Sequence, residues 1–248
     1  MKIAENVEML EISMNLLGVE SKIFPTLIWD DDNMILVDAS LPGASKTIEN
    51  EITKAGLSFD KINQIIVTHT DIDHVGGIRD IQNKMKHPVI VMAHKDDKPF
   101  IEGEKRLNKI TPERMAQLQE KIENMPEDER KPLLEMFQNP PKSKVNKVLE
   151  DGTELPYCGG IIVIHTPGHT PGHICLYLEK DKILIAGDLL HIVDDELRGP
   201  YPHNTPDMEA ATDSIKKFSK YDIKKIVCYH SGLYTKNPNQ KLAELAEK

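Results

Sequence analysis

Four side chains able to bind a metal fall within six residues of this chain, in the run His69-Thr70-Asp71-Ile72-Asp73-His74. Imidazole nitrogens and carboxylate oxygens together are the ligand mixture that suits zinc, iron or manganese. The run follows an apolar segment at 62–68 and precedes Val75-Gly76-Gly77. A strand that ends in a turn and enters a helix would fix these side chains at one sheet edge. The glycines permit tight turns and close backbone approach. A lone His or Asp here would read as a solvated turn. Four of them directly behind an apolar strand read as a metal site.

A second constellation begins at His165-Thr166-Pro167-Gly168-His169-Thr170-Pro171-Gly172-His173. Its two Pro-Gly pairs mark tight turns that would hold His169 rigidly. A turn-rich segment cannot present all three histidines to one ion, so His165 and His173 are expected behind the ligands or in packing. Further on, Gly187-Asp188 ends the apolar run 183–186. A carboxylate there can give one oxygen to each of two ions. Finally, Tyr229-His230-Ser231-Gly232 closes the apolar run 223–228. Four strand ends each deliver metal-competent side chains.

The elements that must position these groups are short Ile- and Val-rich runs at 34–37, 62–68, 89–93, 161–164, 174–178, 183–186 and 223–228. They read as strands, mostly buried. Helical patterns at 45–55, 207–217 and 242–247 lie between or after them, with Ser45 a cap candidate and Thr205-Pro206-Asp207 a start signal. Strands alternating with helices make the class α/β. The length of 248 residues suits one domain with a substantial core. Residues 99–141 break the alternation. They are polar and helical in pattern, with starts at Thr111-Pro112-Glu113 and Pro126-Glu127-Asp128. The segment reads as a helical insertion: a lid over the site, a homodimer contact, or a solvated decoration.

Composition bounds the function. A net charge of −9 repels phosphate backbones and argues against a general nucleic-acid partner. No stretch approaches the roughly 20 apolar residues that span a bilayer, and residues 1–15 lack the apolar run of a signal peptide. Cys158, Cys175 and Cys228 are odd in number and widely spaced, reading as small buried hydrophobes rather than a disulfide framework. Together these observations lead us to expect a cytoplasmic protein acting on a small molecule, without membrane contact.

The motifs resemble the metallo-β-lactamase superfamily. Its signature of HxHxDH, a distant His in a TPGHT-like turn, an Asp in a GD turn and a last His is met at His69, Asp73, His74, His169, Asp188 and His230. The TPGHTPGH turn is most similar to the glyoxalase II and lactonase side. The resemblance covers about 34–232 apart from the insertion. It implies a four-layer αββα sandwich with two metal ions at one edge between the sheets. Metal 1 would be held by His69, Asp71 and His169, metal 2 by Asp73, His74 and His230, and Asp188 would bridge them. Asp71 departs from the pattern, since most members carry a second His there. A carboxylate at this position resembles the HxExDH of the flavodiiron branch. Three carboxylates and a bridging hydroxide would balance two divalent ions, leaving a more neutral core and a weaker Lewis acid. Oxygen ligands also tilt selectivity from zinc, the first expectation, towards iron or manganese. Whether the shorter Asp71 reaches its ion decides between a dinuclear and a mononuclear site.

The expected reaction is hydrolysis of a lactone, thioester or phosphoester by a metal-bound hydroxide, with Asp73 passing a proton to the leaving group. Asp71 keeps open a non-haem iron redox protein or oxygenase on the same fold. A nuclease-type phosphodiesterase is a third reading, disfavoured by the acidic charge. His191, three residues after Asp188, and Tyr201 and His203 in the loop 198–206 are candidates for substrate contact. His94, Tyr229 and Trp29 are expected to be structural.

Overall fold

Alternation along the apolar runs decides the layering, because successive strand residues face opposite sides of a sheet. In the computed structural model, which describes residues 1–16, 19–106 and 112–247, Ile35, Val37 and Ile66 pack in one cluster with Val163, Leu176, Ile185 and Val227. Their neighbours Leu36, Ile65 and Val67 point the other way. They meet Ile48 and Ile52 of the helix Ser45–Lys54 and Ile78 and Ile81 of the helix Ile78–Lys84. On the far side, Cys175, Leu184, Ile226 and Cys228 cover Ala211 and Ile215 of Met208–Lys216 and Leu242 and Leu245 of Pro238–Ala246. The result is helix, sheet, sheet, helix. Each fully buried Ile or Leu stabilises this stack by about 1.5–3 kcal/mol.

The first sheet has seven strands in the order Lys2–Ala4, Val7–Met9, Thr26–Trp29, Met34–Val37, Gln64–Ile66, Ile90–His94 and Lys147–Leu149. Its last four are parallel neighbours. The second has six, in the order Glu154–Leu155, Ile161–His165, Ile174–Leu178, Ile183–Ile185, Lys225–Cys228 and Gly232–Tyr234. Ile183–Ile185 and Lys225–Cys228 run parallel. Two hairpins stand apart: Ile12–Leu16 with Val19–Ile23, and His191–Val193 with Glu196–Arg198.

Several sequence expectations change in detail. The strand expected at 62–68 spans only Gln64–Ile66, and a turn of 3-10 helix, Phe59–Lys61, precedes it. Ser45 is the first helical residue rather than the cap. Ala44 occupies that position without a side-chain bond. Cys175 and Cys228 are buried as expected, but Cys158 is half-buried, at φ +53°. The N-terminal strands escaped the periodicity because they are short and carry polar residues such as Glu8 and Lys22. Trp29 packs half-buried against the core, and Tyr229 lies within it.

Between Ile90–His94 and its neighbour Lys147–Leu149 the chain carries the helices Lys98–Ile101, Pro112–Glu123 and Glu127–Gln138. The expected start at Pro126 is observed, with Pro126 in the cap position. Thr111, expected at the other start, lies outside the described residues. None of the helices among the described residues is long and apolar enough to cross a membrane.

The start signal at Asp207 is explicit: its carboxylate accepts a hydrogen bond from the Ala210 N–H at 2.9 Å. Asp207→Ala should lower stability by about 1 kcal/mol, the usual cost of a lost cap. Urea denaturation checks this, and an unchanged midpoint would show that the helix does not depend on its cap.

Candidate metal centre

Every candidate ligand sits just past the end of a strand, on the edge where both sheets terminate. Gln64–Ile66 runs out through Val67 and Thr68 into His69, and Asp71 precedes the short helix Ile72–Val75 that carries Asp73 and His74. That turn packs closely against the loop after Met34–Val37. A Cβ on Gly77 would lie 2.1 Å from the Ala39 carbonyl oxygen, so only glycine fits there. In the second sheet His169 follows Ile161–His165, Asp188 follows Ile183–Ile185 and His230 follows Lys225–Cys228.

The structure brings all seven together in two groups. His69, Asp71, His169 and Asp188 form one, and Asp73, His74 and His230 the other. Within each, one ligand atom per residue lies within 4.8 Å of every other. His169 Nε2 is 3.1 Å from His69 Nε2 and 3.0 Å from Asp71 Oδ2. His69 Nε2 is 3.4 Å from Asp71 Oδ2. Two atoms bound tetrahedrally to one zinc lie about 3.4 Å apart, so these spacings suit ligands of a common ion. The shorter Asp71 side chain still comes within 3.0 Å of His169 Nε2 and 3.4 Å of His69 Nε2. Asp188 touches both groups: its Oδ1 is 3.3 Å from His74 Nε2, and its Oδ2 is 3.1 Å from His230 Nε2 and 3.5 Å from His169 Nε2. His230 Nε2 is also 3.3 Å from Asp73 Oδ2.

Buried carboxylates and hydroxyls hold these side chains from behind. Asp38, at φ +64°, accepts from the backbone N–H and the hydroxyl of Thr68, both at 2.8 Å, and pairs with His74 Nδ1 at 2.9 Å. Thr68 Oγ1 also lies 3.1 Å from His69 Nδ1. With Nδ1 engaged, Nε2 of each imidazole is left to face the centre. His173 belongs to the same support. Its Nδ1 pairs with Thr166 Oγ1 at 2.8 Å, and its Nε2 accepts the Asp188 N–H at 3.1 Å. The Tyr229 hydroxyl donates to the Asp73 carbonyl at 2.5 Å, and its ring lies against that of His74, centres 3.8 Å apart and tilted by 34°.

The donor set fits divalent cations. His74 Nε2 and Asp188 Oδ1 are buried and lack a hydrogen bond, and imidazole nitrogens face one another across the centre. Burial holds His69 below its usual range, and His74 adds to this. Burial also pushes the Asp73 carboxyl up. Burial opposes charge on Asp188 too, but His230 and His74 outweigh it and keep that carboxyl well below the usual range. Around His74, burial is outweighed by Asp38, Asp188 and Asp73; around His230, chiefly by Asp188. Both imidazoles are raised. The carboxylates that favour positive charge at His74 and His230 would favour divalent ions in the same place.

The other singled-out residues separate clearly. His191 stacks on Tyr201 with ring centres 3.4 Å apart, and Tyr201 lies 5.2 Å from His203, so the three form one aromatic group. Ile192 N–H donates to Ser231 Oγ at 2.8 Å, which ties the His191 hairpin beside His230. Burial pushes His191 down to about 4. His94 and His165 stack at 3.9 Å and 11° near Asp96. One ligand atom of each lies within 4.8 Å of the others, and His165 Nε2 donates to the Pro171 carbonyl at 2.8 Å. Asp38 was missed, although an acid directly after the buried run 34–37 repeats the signal seen at Asp188. Asp97 was missed because Lys95-Asp96-Asp97-Lys98 reads as a solvated turn.

A profile of the metallo-beta-lactamase superfamily matches residues 21–230. A Bacillus subtilis (strain 168) protein described as "Probable metallo-hydrolase YflN" is 30% identical over 228 residues, covering 87% of this chain and 82% of the relative. Hydroxyacylglutathione hydrolase GloC of Haemophilus influenzae is 25% identical over 170 residues, covering 66% of this chain and 65% of its own. Among solved structures, a metallo-beta-lactamase family protein from Thermus thermophilus superposes with a TM-score of 0.70 at 22% identity, covering 99% of this chain and 80% of that one. That likeness is one of fold.

Asp38→Ala removes the support of His74 and Thr68 together. Metal affinity should fall by about 10–100-fold, the usual effect of losing a partner behind a ligand. Competition with a chromophoric chelator measures it, and unchanged affinity would show that packing alone orients His74.

Proposed function

Because the chain belongs to the metallo-beta-lactamase superfamily, we propose that it is a metal-dependent hydrolase cleaving an ester-like bond: a lactone, thioester or phosphoester. The observation that carries this reading is the convergence of three carboxylates and four imidazoles, from four strand ends, into two adjoining groups that share Asp188. The relative named for hydrolysing hydroxyacylglutathione supports acyl transfer to water among these reactions.

His69, Asp71 and His169 would hold one divalent ion and Asp73, His74 and His230 the other, with Asp188 between them. Such ions polarise a carbonyl or phosphoryl oxygen and acidify water at neutral pH. The residues themselves do the rest. Asp38, Thr68 and His173 fix the ligands, so little reorganisation accompanies reaction. Asp73, beside His230 and partly exposed, would pass a proton to the leaving group. The His191–Tyr201–His203 group, on a hairpin tied to Ser231 next to His230, would offer apolar faces with polar edges to a small substrate.

Asp71 supports one second reading, an iron redox protein, since it supplies oxygen where imidazole would favour zinc. Metal content by mass spectrometry on protein purified without added metal, read beside its absorption spectrum, separates the two. The hydrolase reading expects two zinc or manganese ions per chain, no visible band, and turnover of a lactone, thioester or phosphodiester panel that chelation abolishes. Iron with a charge-transfer band and no hydrolysis would replace it with the redox reading. Asp71→His should keep both ions and shift preference towards zinc. An unchanged preference in competitive loading would show that Asp71 does not set metal choice.

A further inference from the structure

Asp97 does something its sequence position gives no hint of. It stands in the cap position of the helix Lys98–Ile101, where an Asp side chain normally accepts from the first turn, yet it makes no cap bond. The residue is 1% exposed, and its carboxylate hydrogen bonds go elsewhere. Oδ2 accepts the Thr70 N–H at 2.9 Å and the Thr170 hydroxyl at 2.7 Å. Oδ1 accepts the Gly172 N–H at 2.6 Å. The approach is close enough that a Cβ on Gly172 would lie 2.4 Å from the Asp97 backbone nitrogen.

These partners have a common feature. Thr70 lies between His69 and Asp71, and Thr170 directly follows His169. Thr70 belongs to a loop of the first sheet, Thr170 and Gly172 to a loop of the second. Asp97 therefore ties together the two segments that carry one half of the centre, across the gap between the sheets. The other half is anchored differently: His74 by Asp38, the Asp73 carbonyl by Tyr229, and His230 at the end of Lys225–Cys228.

We infer that Asp97 is a positioning residue that selectively assembles the His69–Asp71–His169 half of the centre by clamping its two ligand loops to each other. The inference rests on the two-ion reading above. Without the clamp, the loops of Thr70 and Thr170 lose the carboxylate that joins them. The three ligand atoms, now 3.0–3.4 Å apart, lose their common register. The half containing His74 and His230 keeps its anchors. Loss of Asp97 should then convert a two-ion protein into a one-ion protein rather than weaken both sites alike.

The test strips the full-length protein with chelator and titrates it with cobalt(II), following stoichiometry by calorimetry and coordination by visible absorption. Wild type should take up two ions. Asp97→Ala should keep the near-ultraviolet circular dichroism of wild type and bind one ion at wild-type affinity, with the other weakened by about 10–100-fold. Its cobalt spectrum should match that of Asp71→Ala and differ from that of His230→Ala. Thr170→Val, an isosteric loss of one bond, serves if Asp97→Ala does not fold, and should weaken the same ion by about tenfold. Two ions at unchanged affinity, or both ions weakened equally, would overturn the inference. Fewer than two ions in wild type would instead overturn the two-ion reading, and the positioning role with it.

Discussion

The structure depends on reconciling concentrated charge with burial. Four imidazoles and three carboxylates meet at one sheet edge, with His69, His74 and His169 almost wholly removed from solvent. Isolated charges cost several kcal/mol each to bury, so such a cluster persists only if its members neutralise one another or a cation. This tension shows in the imidazoles: burial lowers His69, while the neighbouring carboxylates outweigh burial and raise His74 and His230. A site that must recruit counter-charge is well suited to divalent ions.

The sandwich makes that concentration achievable. Parallel strands in the first sheet, and the parallel pair in the second, end on the same edge. Gln64–Ile66, Ile183–Ile185 and Lys225–Cys228 contribute ligands from the segments directly after the strand, where backbone position is still dictated by sheet packing. The apolar clusters between and outside the sheets make this frame stiff, because close-packed interiors do not deform continuously. Ligand loops mounted on it need only short-range restraint.

That restraint comes from a layer of polar residues behind the ligands. Asp38 serves His74, Thr68 touches both His74 and His69, His173 serves Asp188, and Asp97 joins the loops of both sheets. These groups are buried and hydrogen-bonded, so they contribute orientation in a low-dielectric setting where it is most effective.

Much of this was legible in the sequence because it is local. Strand-end runs such as His69 to His74 and Gly187-Asp188 declare both their chemistry and their position, since an apolar strand followed by a turn leaves little choice of geometry. The strands at 34–37, 174–178 and 183–186 were readable for the same reason, as short buried apolar runs. What tertiary structure alone decided is non-local. That Asp71 reaches His169, 98 residues away, depends on how two sheets stack. That Asp97 faces Thr70 and Gly172 rather than its own helix depends on a loop from the other sheet arriving at 2.6 Å. A mixed-charge turn carries no periodicity to mark which carboxylate will be buried. Burial is conferred by the packing of distant segments, and the sequence names the donors without naming their partners.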